Sequence, residues 1–119
     1  MAVPTYNLTI HQSEDFTNIF TFTNSDQSIT DLSNRTVVST LKKHSQASVG
    51  YAFSSFIDET NGKIYVSLGS TITEDLTPGR YYYDVFTITS DSKKEKRAEG
   101  SIIVKGSASF WRVETYFII

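Results

Sequence analysis

The sequence predicts an all-β sandwich, on three observations. Short apolar–polar alternations recur along the whole chain, each bounded by a polar turn. No stretch repeats its apolar residues at helical spacing for more than about one turn. The third observation is the run Leu76-Thr77-Pro78-Gly79-Arg80-Tyr81-Tyr82-Tyr83-Asp84-Val85. Pro78 pre-sets its φ and Gly79 accepts a positive one, so the pair suits a tight turn. The tyrosines and Val85 behind it suit a pleated strand. A leucine, a Pro-Gly turn and tyrosines entering a strand form the corner of an immunoglobulin-like fold. The prediction therefore sharpens to an immunoglobulin-like antiparallel β-sandwich of about seven to eight strands.

Each element follows from its own pattern. Tyr6, Leu8 and Ile10 alternate with Asn7, Thr9 and His11, which makes a half-buried first strand. Phe16, Phe20 and Phe22 lie among threonines in a second strand. Ile19 is out of phase with them, which points to a bulge or to burial on both faces. Residues 24–28 and 31–34 are polar turns. A strand over 35–43 puts Val37, Ser39 and Leu41 on one face and Val38 and Thr40 on the other. A loop over 44–50 leads to a strand in which Tyr51, Phe53, Ser55 and Ile57 alternate. Asn61-Gly62 is a strong hairpin signal and opens the strand of Ile64, Val66 and Leu68. Residues 70–76 suit a single helical turn. In the strand over 81–89 three successive tyrosines point alternately to opposite faces, so at least one belongs to the core. Residues 90–97 read as a charged hairpin tip and 99–105 as the closing strand.

Composition bounds the function. At 119 residues, 39% hydrophobic and 20% charged, the chain forms one globular domain with a sizeable core. A net charge of −2 argues against a dedicated nucleic-acid binder. There are no cysteines, so disulfides, zinc–thiolate sites and thiol catalysis are excluded. The first six residues lack the basic start and apolar stretch of a signal peptide, and no apolar run reaches the ~18 residues of a membrane span. The expectation is a soluble, cytoplasmically made product with no membrane partner.

The chain offers little chemistry. His11 and His44 lie on different segments without a second ligand at metal-binding spacing. No G-x-S-x-G and no clustered glycines occur. Asp58-Glu59-Thr60-Asn61-Gly62 reads as a hairpin turn in preference to a calcium loop. Lys93-Lys94-Glu95-Lys96-Arg97 reads as a solvated tip that discourages edge pairing, in preference to a contact for an acidic partner. No strong exposed aromatic cluster is evident. The expectation is a protein with no enzymatic activity, no metal and no cofactor; only a pocket with two facing carboxylates would favour catalysis.

The domain boundary falls after residue 105, with a sandwich over 1–105 and an aromatic segment over 106–119. Phe110, Trp111, Val113, Tyr116, Phe117, Ile118 and Ile119 are too apolar for a free tail. Burying each is worth ~1.5–3 kcal/mol. Two readings stand: a last strand on the domain's own sheet, or an arm docked on a neighbouring subunit by strand addition or by anchors in a groove. On the second reading these seven residues are the partner interface.

A set of motifs in fixed order narrows the field. They are Pro4-Thr5-Tyr6-Asn7-Leu8-Thr9-Ile10-His11-Gln12-Ser13-Glu14-Asp15-Phe16, then Ile29-Thr30-Asp31-Leu32 with Thr36-Val37-Val38-Ser39, and then Asp58-Glu59-Thr60-Asn61-Gly62-Lys63-Ile64. The Leu76–Val85 run follows, and Ala98-Glu99-Gly100-Ser101-Ile102-Ile103-Val104 closes the series. Over residues 4–105 the chain resembles small immunoglobulin-like structural proteins of tailed bacteriophages, including the amino-terminal domains of baseplate upper proteins. It departs from them at Ser13, where glycine is usual, and after Gly106. The resemblance implies a non-enzymatic virion part, most simply a tail or baseplate adaptor that contacts other virion proteins in a symmetric, multi-copy assembly. Capsid decoration or host-surface adhesion is the alternative.

Overall fold

The structure is a computed structural model and describes residues 3–44 and 50–107. Its strands are β1 (Leu8–His11), β2 (Phe16–Thr21), β3 (Thr36–Lys42), β4 (Gly50–Ala52), β5 (Ser54–Asp58), β6 (Lys63–Leu68), β7 (Gly79–Ile88) and β8 (Lys94–Lys105). One helical turn, α1 (Ser70–Thr73), lies between β6 and β7. The larger sheet has the order β1-β8-β7-β3-β4 and the smaller β2-β6-β5. Pairing is antiparallel except between β1 and β8, which run parallel. The two sheets pack face to face as an all-β sandwich, as the alternation predicts.

The core lies between the inner faces and follows the predicted phases. Ile10, Phe20, Leu41, Ile64, Val66, Leu68, Val85, Ile102 and Val104 are buried in it. The corner forms as expected: Leu76 is buried, Gly79 has φ +142°, and the Tyr81 hydroxyl donates to the Thr77 carbonyl at 2.9 Å. Tyr81 and Tyr83 point into the core and Tyr82 points out.

Three sequence expectations change. Ile19 lies in a regular β2–β6 ladder, 50% exposed, so neither a bulge nor two-sided burial accounts for it. It faces solvent on the outside of the smaller sheet. The alternating run from Tyr51 to Ile57 is two strands: β4 joins the larger sheet and β5 the smaller, with buried Phe53 at the switch. The charged hairpin tip is also shorter than expected, because β8 starts at Lys94. Val85 faces Ala98 and Phe86 faces Lys96, so Arg97 is the extra residue of a bulge. Lys96 stays on the outer face, while Arg97 and Glu95 turn to the end of the core. There the Glu95 carboxylate accepts from Arg35 at 3.2 Å and from Arg97 at 2.9 Å, and Arg97 also donates to buried Thr87. Burial pushes the Glu95 carboxyl up. The Arg35 hydrogen bond and the charges of Arg97, Arg35 and Lys93 outweigh that and leave it below its ordinary value.

Two joints hold β1 and the sheet crossings. At the first, the Tyr6 carbonyl sits where a side chain at residue 100 would begin: a Cβ there would lie 2.0 Å from the oxygen. The same oxygen accepts from the Tyr83 hydroxyl at 2.8 Å, and the Tyr6 amide donates to the Glu99 carbonyl at 2.9 Å. Burial first, then the neighbouring Tyr6 and Glu99, raise the Tyr83 pKa well above its ordinary value, so the phenol remains a donor. At the second joint, the buried Gln12 side chain donates to the Leu76 carbonyl at 3.0 Å and accepts from the Ser107 amide at 3.0 Å. It thereby ties the β1–β2 turn to the β6–β7 crossing and to the end of β8.

Ser13, next in that turn, has φ +71° and a buried hydroxyl without a hydrogen-bond partner. This is the left-handed region that glycine enters freely. Ser13, where the sequence resemblance leads one to expect glycine, thus occupies a left-handed conformation.

Two substitutions test these joints by chemical unfolding. Gly100→Ala forces the Tyr6 carbonyl away and costs about 3 kcal/mol, read as a lower denaturant midpoint. Ser13→Gly relieves the backbone and removes the unpaired hydroxyl. Against glycine's added unfolded-chain entropy, the net gain is about 0.5–1 kcal/mol.

Candidate functional site

A candidate functional surface is the outer face of the larger sheet. Cross-strand register sets its rows: Val38, Phe86 and Lys96; Thr40, Asp84 and Glu99; Lys42, Tyr82 and Ser101. Sheet twist makes the face concave, with a groove of about 940 Å³. Val38 is 49% exposed and Tyr82 44%, which is unusual for apolar and aromatic groups on one sheet face. Lysine charge surrounds them. The Lys96 ammonium lies 5.6 Å from the Phe86 ring centre and 2.9 Å from a Glu99 carboxylate oxygen. Of the charged groups lining the groove, Lys42, Arg80, Lys94 and Lys96 are cationic and Asp84 and Glu99 anionic. An acidic chain thus presents a locally basic face.

Asp84 sits at the centre of this face. Burial raises its pKa, Glu99 adds to the rise, and Lys96 and Lys42 oppose it. Asp84 and Glu99 are direct cross-strand neighbours, the facing carboxylates that would favour catalysis. They stand on adjacent strands of one sheet face. Both rise side by side from one floor, with Cβ atoms ~4.5–5.5 Å apart. Glu99 is moreover held in its ion pair with Lys96.

A second surface lies on the outside of the smaller sheet. Register places Ile19, Tyr65 and Phe56 in one row across β2, β6 and β5. Phe56 is 65% exposed and meets Tyr65 edge to face at 5.8 Å. The sequence showed no strong exposed aromatic cluster, because these residues come together only through strand pairing.

The other candidates separate. His11 and His44 are exposed on different segments, and among the described residues no group of three histidines or carboxylates gathers as a metal site. The Asp58 carboxylate is occupied by Asn61 within the β5–β6 turn. Phe110, Trp111, Val113, Tyr116, Phe117, Ile118 and Ile119, the interface read from sequence, lie outside the described residues. Among the described residues no helix is long and apolar enough to cross a membrane.

Comparison with known proteins bears on the fold. No protein-family model and no curated protein matches the chain. Among solved structures it is similar to the SrpA adhesin R347E mutant from Streptococcus sanguinis, at 10% identity and a TM-score of 0.50. The match covers 93% of this chain and 59% of that one. A Listeria monocytogenes internalin-like protein, lmo2027, matches at 14% identity and a TM-score of 0.45, over 88% of this chain and 28% of that one. The chain therefore spans less than two thirds of either protein. At these identities, the adhesin likeness shows a shared β-sandwich fold.

The raised Asp84 pKa gives a signed prediction. Ionised Asp84 is disfavoured in the folded state, so its stability contribution is full below the ordinary value of 3.8 and is lost as pH rises through the elevated one. Asp84→Asn should therefore raise the melting temperature at pH 7. The gain should shrink on acidification and vanish below about pH 4.

Proposed function

We propose that the protein is a non-enzymatic structural component of a tailed-phage virion, a tail or baseplate adaptor that works through protein–protein contacts. The observation that carries this reading is the concave face of the larger sheet. Exposed Val38 and Tyr82 and half-buried Phe86 lie among four lining cations there. Aromatic anchors within a charged rim are what a protein interface requires, whereas side-by-side carboxylates on an open floor make a poor hydrolytic site. The ordered motifs over residues 4–105 support the phage assignment, and Ser13 strengthens it through its glycine-like backbone. On this reading the partners are other virion proteins in a symmetric, multi-copy assembly. The protein then resides in the virion.

One observation favours a second reading. The exposed Ile19–Tyr65–Phe56 row suits attachment to a capsid lattice or a host surface. Particle composition separates the two. Mass spectrometry of purified virions should find the chain at a fixed ratio to the tail proteins. The exposed-face double variant F86D/K96E should leave the domain folded and cut its incorporation at least about tenfold, the equivalent of ~1.4 kcal/mol of contact energy. Virions without the chain, or full incorporation of the double variant, would overturn the adaptor reading. Loss of incorporation on Phe56→Ser alone would move the contact to the smaller sheet and favour decoration or adhesion.

A further inference from the structure

The edge strand β2 carries a pattern that fits a second copy of itself. The sheet edges are β1 and β4 in the larger sheet and β2 and β5 in the smaller. β1 ends on His11, β4 has three residues and β5 ends on Asp58. Charge, proline and bulges are the usual guards against edge-to-edge pairing, and β2 has none of them. The Phe22 amide donates to the Gly62 carbonyl at 2.9 Å, which fixes the phase of the β2–β6 ladder. Residues 16, 18 and 20 bond β6, so Thr17, Ile19 and Thr21 turn their N–H and C=O groups away from it. The Thr30 amide donates to the Phe22 carbonyl, which folds the 22–30 hairpin back on the β6 side. Among the described residues no strand pairs with the other side of β2.

Antiparallel pairing of β2 with β2 of a second copy has a register that suits both backbone and side chains. Outward groups must meet outward groups, so odd residues face odd ones. A two-fold axis through Ile19 sets Ile19 opposite Ile19 and Thr17 opposite Thr21, with about six new N–H···O bonds. An axis at Asn18 would instead face Ile19 with Thr17 and bring the charge of Asp15 opposite Thr21. With the axis at Ile19, no row of the outer face sets like charges together. The central row runs Phe56–Tyr65–Ile19 and then through the same three residues of the second copy in reverse. Each flanking row joins Asp58–Lys63–Thr21 of one copy to Thr17–Ser67–Ser54 of the other. Its charges are one opposite pair, Asp58 with Lys63, set back from the seam. On the inner face uncharged Asn18 meets Phe20. The pairing also covers Ile19, an exposed aliphatic residue that the single chain leaves facing solvent.

We propose that two copies of this chain associate edge to edge through β2, antiparallel, with Ile19 on the two-fold axis. The contact is isologous, and the two smaller sheets become one sheet of six strands. This goes beyond the adaptor reading and does not depend on it.

The full-length chain has no cysteine, so single introduced thiols report the geometry. Ile19→Cys places two thiols at the axis with Cα atoms about 5.5 Å apart, within disulfide reach, and should give a covalent dimer on mild oxidation. Thr17→Cys, also exposed on β2, sets its thiols about 14 Å apart and should stay monomeric on a non-reducing gel. Light scattering of the unmodified chain at rising concentration should show its mass double. In the dimer the amides of Thr17, Ile19 and Thr21 should exchange at least about tenfold more slowly than in the monomer. Ile19→Lys sets two ammonium groups against each other and should keep the chain monomeric. Phe56→Lys, in the same row but away from the seam, and F86D/K96E, on the other sheet, should dimerise as the parent does. Slow exchange at Val85 and Ile102 in every variant certifies an intact sandwich. A parent chain that remains monomeric at millimolar concentration would overturn the proposal. So would equal cross-linking through residue 17, or dimers that survive Ile19→Lys. Dimers lost on Phe56→Lys would place the contact on the open face of the sheet and overturn it too. Edge amides already protected in the monomer would do the same, since another part of the chain would then fill the edge. None of these outcomes changes what F86D/K96E does in particles, so this proposal and the adaptor reading fail separately.

Discussion

The structure depends on how closely the Tyr6 backbone approaches β8. The absent side chain of Gly100 lets the Tyr6 carbonyl enter the space a Cβ would fill. From there it accepts the Tyr83 hydroxyl. That contact holds the start of the chain on the larger sheet, where β1 runs parallel to β8. The remaining architecture follows. With β1 engaged there, β2 has β6 as its neighbour on one side and, among the described residues, an open edge on the other. One glycine and one phenol thus hold the start of the chain against β8.

The bulge at Arg97 has comparable reach within β8. Before it, the even-numbered Lys94 and Lys96 face outward; after it, the even-numbered Ala98, Ile102 and Val104 face the core. Without the extra residue, either the lysines or the aliphatic side chains would be on the wrong face. The bulge lets one strand carry both a basic outer surface and an apolar inner one. The basic character of the concave face is therefore a consequence of backbone irregularity as much as of composition.

Much of the fold was legible because its signals are local. The Leu76 to Tyr81 corner forms from residues adjacent in sequence, and the phases of β1, β3, β6 and β7 follow from side-chain alternation. What alternation does not carry is sheet membership. The run from Tyr51 to Ile57 keeps its phase while crossing from one sheet to the other at Phe53, and phase alone gives no sign of the crossing. The candidate site was less legible for a related reason. Asp84 meets Glu99, and Phe56 meets Tyr65, only through register between strands. Register depends on the bulge and on tertiary packing. Lys96 was read as a hairpin charge for the same reason, since the flanking sequence does not mark where β8 begins.

Gln12 joins three distant segments without a covalent link. Its amide links the first turn, the crossing between sheets and the end of β8 through neutral hydrogen bonds. With no sulfur–sulfur bond in a cysteine-free chain, the thiol–disulfide poise of the surroundings has no covalent link on which to act. The joint is therefore indifferent to redox potential. The same fold can persist in a reducing medium and in an oxidising one without a disulfide being made or broken.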